Sequence, residues 1–164
     1  MFPNAPLNNE CRATAWFTPT SFSPAPRRSA STTEGEGAGK KEEEEEEEEV
    51  DPNSKAEMLE SVRYINDLVE KEIERGVKAE RIVVGGFSQG GAIALLVGLG
   101  LGLSSSSEQR KLGGVAGLSG FLPFVTHGMA GIEEARKRRI NIFLAHGRKD
   151  MMVPVRISFL LLCF

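Results

Sequence analysis

Histidine, cysteine and the large aromatics are scarce in this sequence of 164 residues. It holds two histidines, His127 and His146, two cysteines, Cys11 and Cys163, one tryptophan and one tyrosine. Two cysteines are too few for a disulfide framework, and neither has neighbours at metal-ligand spacing, so a structural metal site and a secreted disulfide scaffold are both excluded. Met1-Phe2-Pro3-Asn4-Ala5-Pro6 lacks the basic and apolar regions of a secretory signal. No apolar run approaches the ~20 residues of a bilayer span, and Cys163 does not occupy the position of a prenylated cysteine. These absences lead us to expect a protein of the cytosol or nucleus with no stable membrane anchor and a length suited to one domain.

The charge is uneven. Twenty basic and 23 acidic side chains give a formal charge of −3. Eight of the acids form one run, Glu42 to Glu49; taking those eight from the 23 leaves 15 acids against 20 bases, and the balance turns to +5. The sign of the net charge thus rests on a single tract and names no partner. Like charges repel and stay solvated, so residues 20–50 are expected to be a disordered acidic linker, with a specific docking role as the alternative. Arg136-Lys137-Arg138-Arg139 has no interleaved aromatics. It is expected to be a solvated helix face, and no nucleic-acid partner is expected.

Ordered structure is expected from Ser54. Ser54-Lys55-Ala56-Glu57 has the pattern of a capping box, and Met58, Val62, Ile65, Val69 and Ile73 follow at helical spacing, with Gly76 placed to end the helix. Arg81-Ile82-Val83-Val84-Gly85-Gly86 suits a buried parallel strand. Ala92 to Leu101 is apolar all round, as in a buried helix. Val115 to Leu118 and Ile140 to Ala145 suit two further strands, with a short charged helix, Glu133 to Arg139, between them. Strands alternating with helices predict an α/β fold with a mostly parallel sheet.

Chemistry concentrates in Gly86-Phe87-Ser88-Gln89-Gly90-Gly91. The motif G-x-S-x-G lies where a strand passes into a helix, the context of a nucleophile elbow. The glycines let strand and helix approach, and the helix N-terminus aims N–H groups at the reacting oxygen. The Gln89 N–H is then a candidate oxyanion donor. The plainer alternative is a glycine-rich turn with an incidental serine. A serine nucleophile needs a base, and the base needs an orienting acid. Asp150, in the loop after the third strand, suits the acid, or is an ordinary loop aspartate. The chain order in this fold is serine, acid, histidine, and no histidine follows Asp150. His127 and His146 both precede it; His146 is expected to make a local structural hydrogen bond and His127 to face solvent.

Residues 81–92 around this motif resemble the elbow of the acyl-protein thioesterase family, the phospholipase/carboxylesterase group. Leu112 to Pro123, with its Leu-Ser and Leu-Pro, resembles the family's next strand. Ala145-His146-Gly147-Arg148-Lys149-Asp150-Met151-Met152-Val153-Pro154 resembles its acid loop, and residues 2–17 faintly resemble the segment upstream of the first helix. The resemblance implies a partial α/β-hydrolase fold, a mostly parallel sheet flanked by helices without the N-terminal strands and the C-terminal strand and helix. Residues 1–19 would be a remnant of the upstream hydrolase segment, 51–156 the partial domain and 157–164 a divergent apolar tail. It implies a serine hydrolase of thioesters on S-acylated proteins, of lysophospholipids and of carboxylic esters, using neither cofactor nor metal. Ser88 would be the nucleophile, Asp150 the triad acid and Gln89 an oxyanion donor. The expectation is an impaired enzyme, or alternatively a catalytically dead binding module.

Overall fold

Packing begins with the stripe on the first helix. The computed structural model describes residues 3–8, 12–18, 52–100, 111–123, 132–133, 135–153 and 155. Helix α1 spans Pro52–Glu74. It buries Met58, Val62, Ile65 and Val69, four positions of the expected stripe. It stops as expected at Gly76, whose φ of 94° closes the turn. The Gly76 N–H bonds to the Ile73 carbonyl and the Val77 N–H to that of Glu72, the paired bonds of a Schellman motif.

The start of α1 differs from the sequence expectation. The helix begins at Pro52, a residue type suited to a first turn because its missing N–H has no partner there, so Ser54 and Glu57 are not a capping pair. They reach across the chain instead. The Ser54 hydroxyl donates to the Thr18 carbonyl, and the Ser61 hydroxyl to that of Trp16. The Glu57 carboxylate accepts from the Thr18 N–H, the Thr18 hydroxyl and the Asn8 amide. This polar row fastens residues 12–18 along α1 and buries Phe17 in the core. Just upstream, strands β1 (Leu7–Asn8) and β2 (Ala13–Thr14) pair antiparallel.

A short 3-10 turn, Ala79–Arg81, leads into strand β3, Val83–Phe87. Helix α2 spans Gln89–Leu99 and ends on Gly100 in the left-handed conformation. Gly91 through Leu99 are all buried, which is why no polar stripe marks the helix in the sequence. Strands β4 (Gly114–Leu118) and β5 (Ile142–Ala145) complete a parallel sheet of order β3-β4-β5. Residues 132–133 and 135–137 are helical, and Ala135 is buried. The tract 20–50, His127 and the tail 157–164 lie outside the described residues.

Register assigns the sheet faces. Val115 packs on Gly98 and Gly117 on Leu95, so these two face α2. Their in-register partners Val84, Gly86, Ile142 and Leu144 share that face. Val83, Phe87, Leu118 and Phe143 point the other way and are exposed among the described residues. Among the described residues β3 pairs on one side and is exposed or partly buried along its length, in contrast to the buried strand expected from its apolar run.

Glu57 supplies three acceptor contacts to residues 8–18, and a hydrogen bond to a charged group contributes about 1.5–3 kcal/mol. Glu57→Ala is expected to lower stability by about that amount. In urea denaturation it should also expose Trp16, giving red-shifted emission before the main transition. Superimposable curves for the two proteins would contradict this role.

Candidate active site

Ser88 sits between the last residue of β3 and the first of α2 with φ 53° and ψ −122°. That conformation is rare for a residue with a Cβ and costs on the order of 1–3 kcal/mol. It persists because both sides hold it. The Ser88 N–H donates to the Leu118 carbonyl at 2.9 Å, and its own carbonyl accepts from the Ala92 N–H at 3.1 Å. The side chain makes no capping bond to α2, so the hydroxyl is not used for helix structure.

The turn closes only because residue 86 is glycine. A Cβ there would lie 2.2 Å from the carbonyl carbon and oxygen of Gly90. At Gly90 the neighbour is the Trp16 indole, 3.3 Å from where a Cβ would stand. Gln89 opens α2 with its N–H at the helix N-terminus. Its side chain turns away from the elbow and bonds to an earlier part of the chain. Nε2 donates to the Phe17 carbonyl at 3.0 Å, and Oε1 accepts from the Trp16 N–H at 3.3 Å. The elbow is thereby tied to residues 12–18, which α1 holds from behind.

The three strands end together. Phe87, Leu118 and Ala145 are in register, so Ser88, Ser119 and His146 follow one another across the carboxyl edge. The Ser119 N–H extends the ladder to the Ala145 carbonyl at 2.8 Å, with Ser119 itself at φ 47°. Open parallel sheets place their chemistry at this edge. With β4 between them, the ends of β3 and β5 stand about 10 Å apart, two strand spacings.

Asp150 follows β5 in a loop that it closes itself. Its Oδ1 accepts from the Met152 and Val153 N–H groups, each at 2.9 Å. Those two bonds hold its carboxyl below the usual aspartate range; a nearby His146 and the Ser119 hydroxyl add to the effect, against partial desolvation. His146 Nε2 lies 3.5 Å from Oδ2 and 2.6 Å from the Val153 carbonyl. The imidazole, whose side chain is 5% exposed, braces the acid loop.

An open apolar cavity of about 850 Å³ runs beside the elbow. It is lined by β3, by Trp16 and by Ile65, Leu68 and Val69 of α1. Among the described residues no three His, Cys, Asp or Glu side chains converge as a metal site requires, and no helix is long and apolar enough to cross a membrane.

A profile of the phospholipase/carboxylesterase family matches residues 45–161. The chain belongs to this family. It is similar to acyl-protein thioesterase 1 of Emericella nidulans, 39% identical over 106 residues, 64% of this chain and 41% of that protein. It is 36% identical to acyl-protein thioesterase 1 of Saccharomyces cerevisiae over 104 residues, 61% of this chain and 40% of that one. The chain thus spans about two fifths of the length of these relatives. A crystal structure of a variant of Arabidopsis thaliana SOBER1 superimposes with a TM-score of 0.66 at 29% identity, covering 99% of this chain and 65% of that one. The fold is that of an α/β hydrolase, represented here by three parallel strands and their helices.

Sequence reasoning anticipated the strand–turn–helix at Ser88 but missed the fastening of residues 12–18. Its signal was present in Ser54 and Ser61, small hydroxyls on the buried side of an apolar stripe, which mark a face that meets backbone carbonyls. Two outcomes follow. Gly86→Ala should yield insoluble or unfolded protein, because backbone obstructs the added methyl and overpacking that cannot relax costs about 3 kcal/mol or more; circular dichroism of a purified, native-like variant would contradict this. A carboxyl whose folded pKa is lowered stabilises the fold above its unfolded value and loses that contribution as pH falls through the folded one. The Met152 and Val153 amide shifts should therefore titrate together with a midpoint below 3.8, and a midpoint above that would refute the assignment.

Proposed function

We propose that this chain carries the nucleophile and acid of a serine hydrolase of the acyl-protein thioesterase and carboxylesterase type. The observation that carries the reading is the backbone of Ser88, strained between a strand and a helix inside G-x-S-x-G. Ser88 Oγ attacks the carbonyl carbon of an ester or thioester while a base takes its proton. The oxyanion forms beside the Gln89 N–H, where a helix N-terminus stabilises charge that the ground state lacks. The leaving alcohol or thiol departs with the proton, and water releases the acyl group from Ser88. Asp150 presents Oδ2 to orient the base. The names of the relatives support S-acylated proteins as substrates, and the family description adds lysophospholipids and small carboxylic esters as further candidates.

Among the described residues the role of the base is unfilled. His146 is engaged with the Val153 carbonyl and Asp150, and no histidine follows Asp150 in this sequence. Removal of a triad histidine lowers kcat by about 10⁶-fold in subtilisin, so the hydrolase reading requires a base that the described residues do not supply. The exposed apolar residues of β3 favour a second reading, a binding module that performs no chemistry.

Labelling of the purified chain by a fluorophosphonate probe decides between them. The hydrolase reading expects slow labelling at Ser88 that accelerates with added imidazole, a surrogate base, and vanishes in Ser88→Ala. Wild type and Ser88→Ala labelling equally, with or without imidazole, would leave the binding module.

A further inference from the structure

We propose that Ser119 is a positioning residue for the proposed hydrolysis: its hydroxyl docks the acid loop onto the strand end beside the elbow, and so sets where Asp150 stands relative to Ser88. The role rests on the hydrolase reading, in which Ser88 and Asp150 serve the same base.

Backbone bonds place Ser119 between the two. Leu118 is in register with Phe87 on one side and with Ala145 on the other. The peptide unit joining Leu118 to Ser119 is bonded in both directions. Its carbonyl accepts from the Ser88 N–H at 2.9 Å, and its N–H donates to the Ala145 carbonyl at 2.8 Å. One residue later the chain crosses the start of α2, where a Cβ on Gly120 would stand 3.2 Å from the Gly91 carbonyl carbon. Phe121 and Leu122 beyond it are buried. The acid loop has its own closure. The Asp150 N–H donates to the Gly147 carbonyl, and Oδ1 is taken by the Met152 and Val153 N–H groups. His146 fastens that loop to the end of β5. The bond from the Ser119 hydroxyl to the Asp150 carboxylate carries the connection one strand further, to β4 and so to the neighbour of Ser88.

The conformation of Ser119 points to the same use. Its φ is 47°, a region that glycine enters freely and that a residue with a Cβ occupies at a cost. Glycine stands nearby at positions 117 and 120. At 119 it would remove the strain and keep every backbone bond. Strained residues of this kind cluster where a side chain has work at a site. The hydroxyl is the one polar group that this side chain offers, and Asp150 receives it.

The test compares Ser119→Ala, which removes the hydroxyl and keeps a Cβ, with Ser119→Gly, which removes hydroxyl and strain together. The full chain, isotope-labelled at its aspartate carboxyls, is titrated with acid. His146 also faces this carboxylate and acts through its charge, so the midpoint is read at Asp150 itself. A hydrogen bond to the ionised form favours that form. The expected result is therefore an Asp150 midpoint raised alike in both variants, with slow exchange of the Met152 and Val153 amides retained because the loop closes on itself. Imidazole-accelerated labelling of Ser88 by the fluorophosphonate should fall about tenfold in both, the scale of a small misplacement of a catalytic group. An unchanged midpoint in Ser119→Ala, or a rise in Ser119→Gly alone, would overturn the proposal, the second because the effect would belong to the backbone. Loss of the Met152 and Val153 protection would also overturn it, since the hydroxyl would then be holding the loop together. Should Ser119→Ala fail to fold, an unchanged midpoint in Ser119→Gly is sufficient to reject it. The titration needs no reaction at Ser88. A wild type that never labels would remove the hydrolase reading, whereas variants that label as fast as wild type would remove the role of Ser119 alone.

Discussion

Strain at Ser88 has to be held by something stiffer than a loop, and much of the molecule is arranged to hold it. A backbone at φ 53°, ψ −122° relaxes unless both flanks are fixed. On one flank β3 is locked to β4, and that ladder continues one residue further through the Ser88 N–H to Leu118. On the other flank α2 is buried over nine consecutive residues and cannot shift without unpacking the core. Between them the chain closes so tightly that residue 86 has no room for a methyl group. Sheet, buried helix and glycine spacing are thus three responses to one requirement, a hydroxyl presented on a sharp turn.

The same requirement reaches α1 through Gln89. Its side-chain amide grips the backbone of Trp16 and Phe17, and Ser54, Glu57 and Ser61 grip that segment from the opposite side. Residues 12–18 act as a strut between the first helix and the elbow. The polar groups of the strut are matched donor to acceptor, so their partial burial does not carry the cost of unpaired groups. The Trp16 indole, laid on Gly90, completes the contact.

Local pattern made the central elements legible. The α1 stripe and the Gly76 stop are short-range signals that depend only on helix period and glycine conformation, and both were readable. The elbow was readable because its motif is itself a strand-turn-helix. What was not readable depended on distant partners. Ser54 and Glu57 look like a cap because their spacing is that of a cap; residues 36 to 49 positions away recruit them instead. The run Val83 to Phe87 is apolar in any context, and its exposure depends on which strands stand beside it, which no periodicity records. Ser119 belongs to a Leu-Ser pair that names no partner, and its place beside Asp150 follows from register across two strands.

The Asp150 loop also bears on how this chemistry can be divided between polypeptides. Its carboxylate is aimed by amides two and three residues along the same chain, with His146 bracing from four residues back. All three contacts come from within four residues of Asp150. The direction of the Asp150 carboxylate is therefore set by its own loop. A histidine arriving on another segment would meet an acceptor already in place, and the ordering entropy of joining would fall on the newcomer alone. In the proposed hydrolase this stretch would be the fixed half of the site, the half that needs nothing from its partner to be aimed.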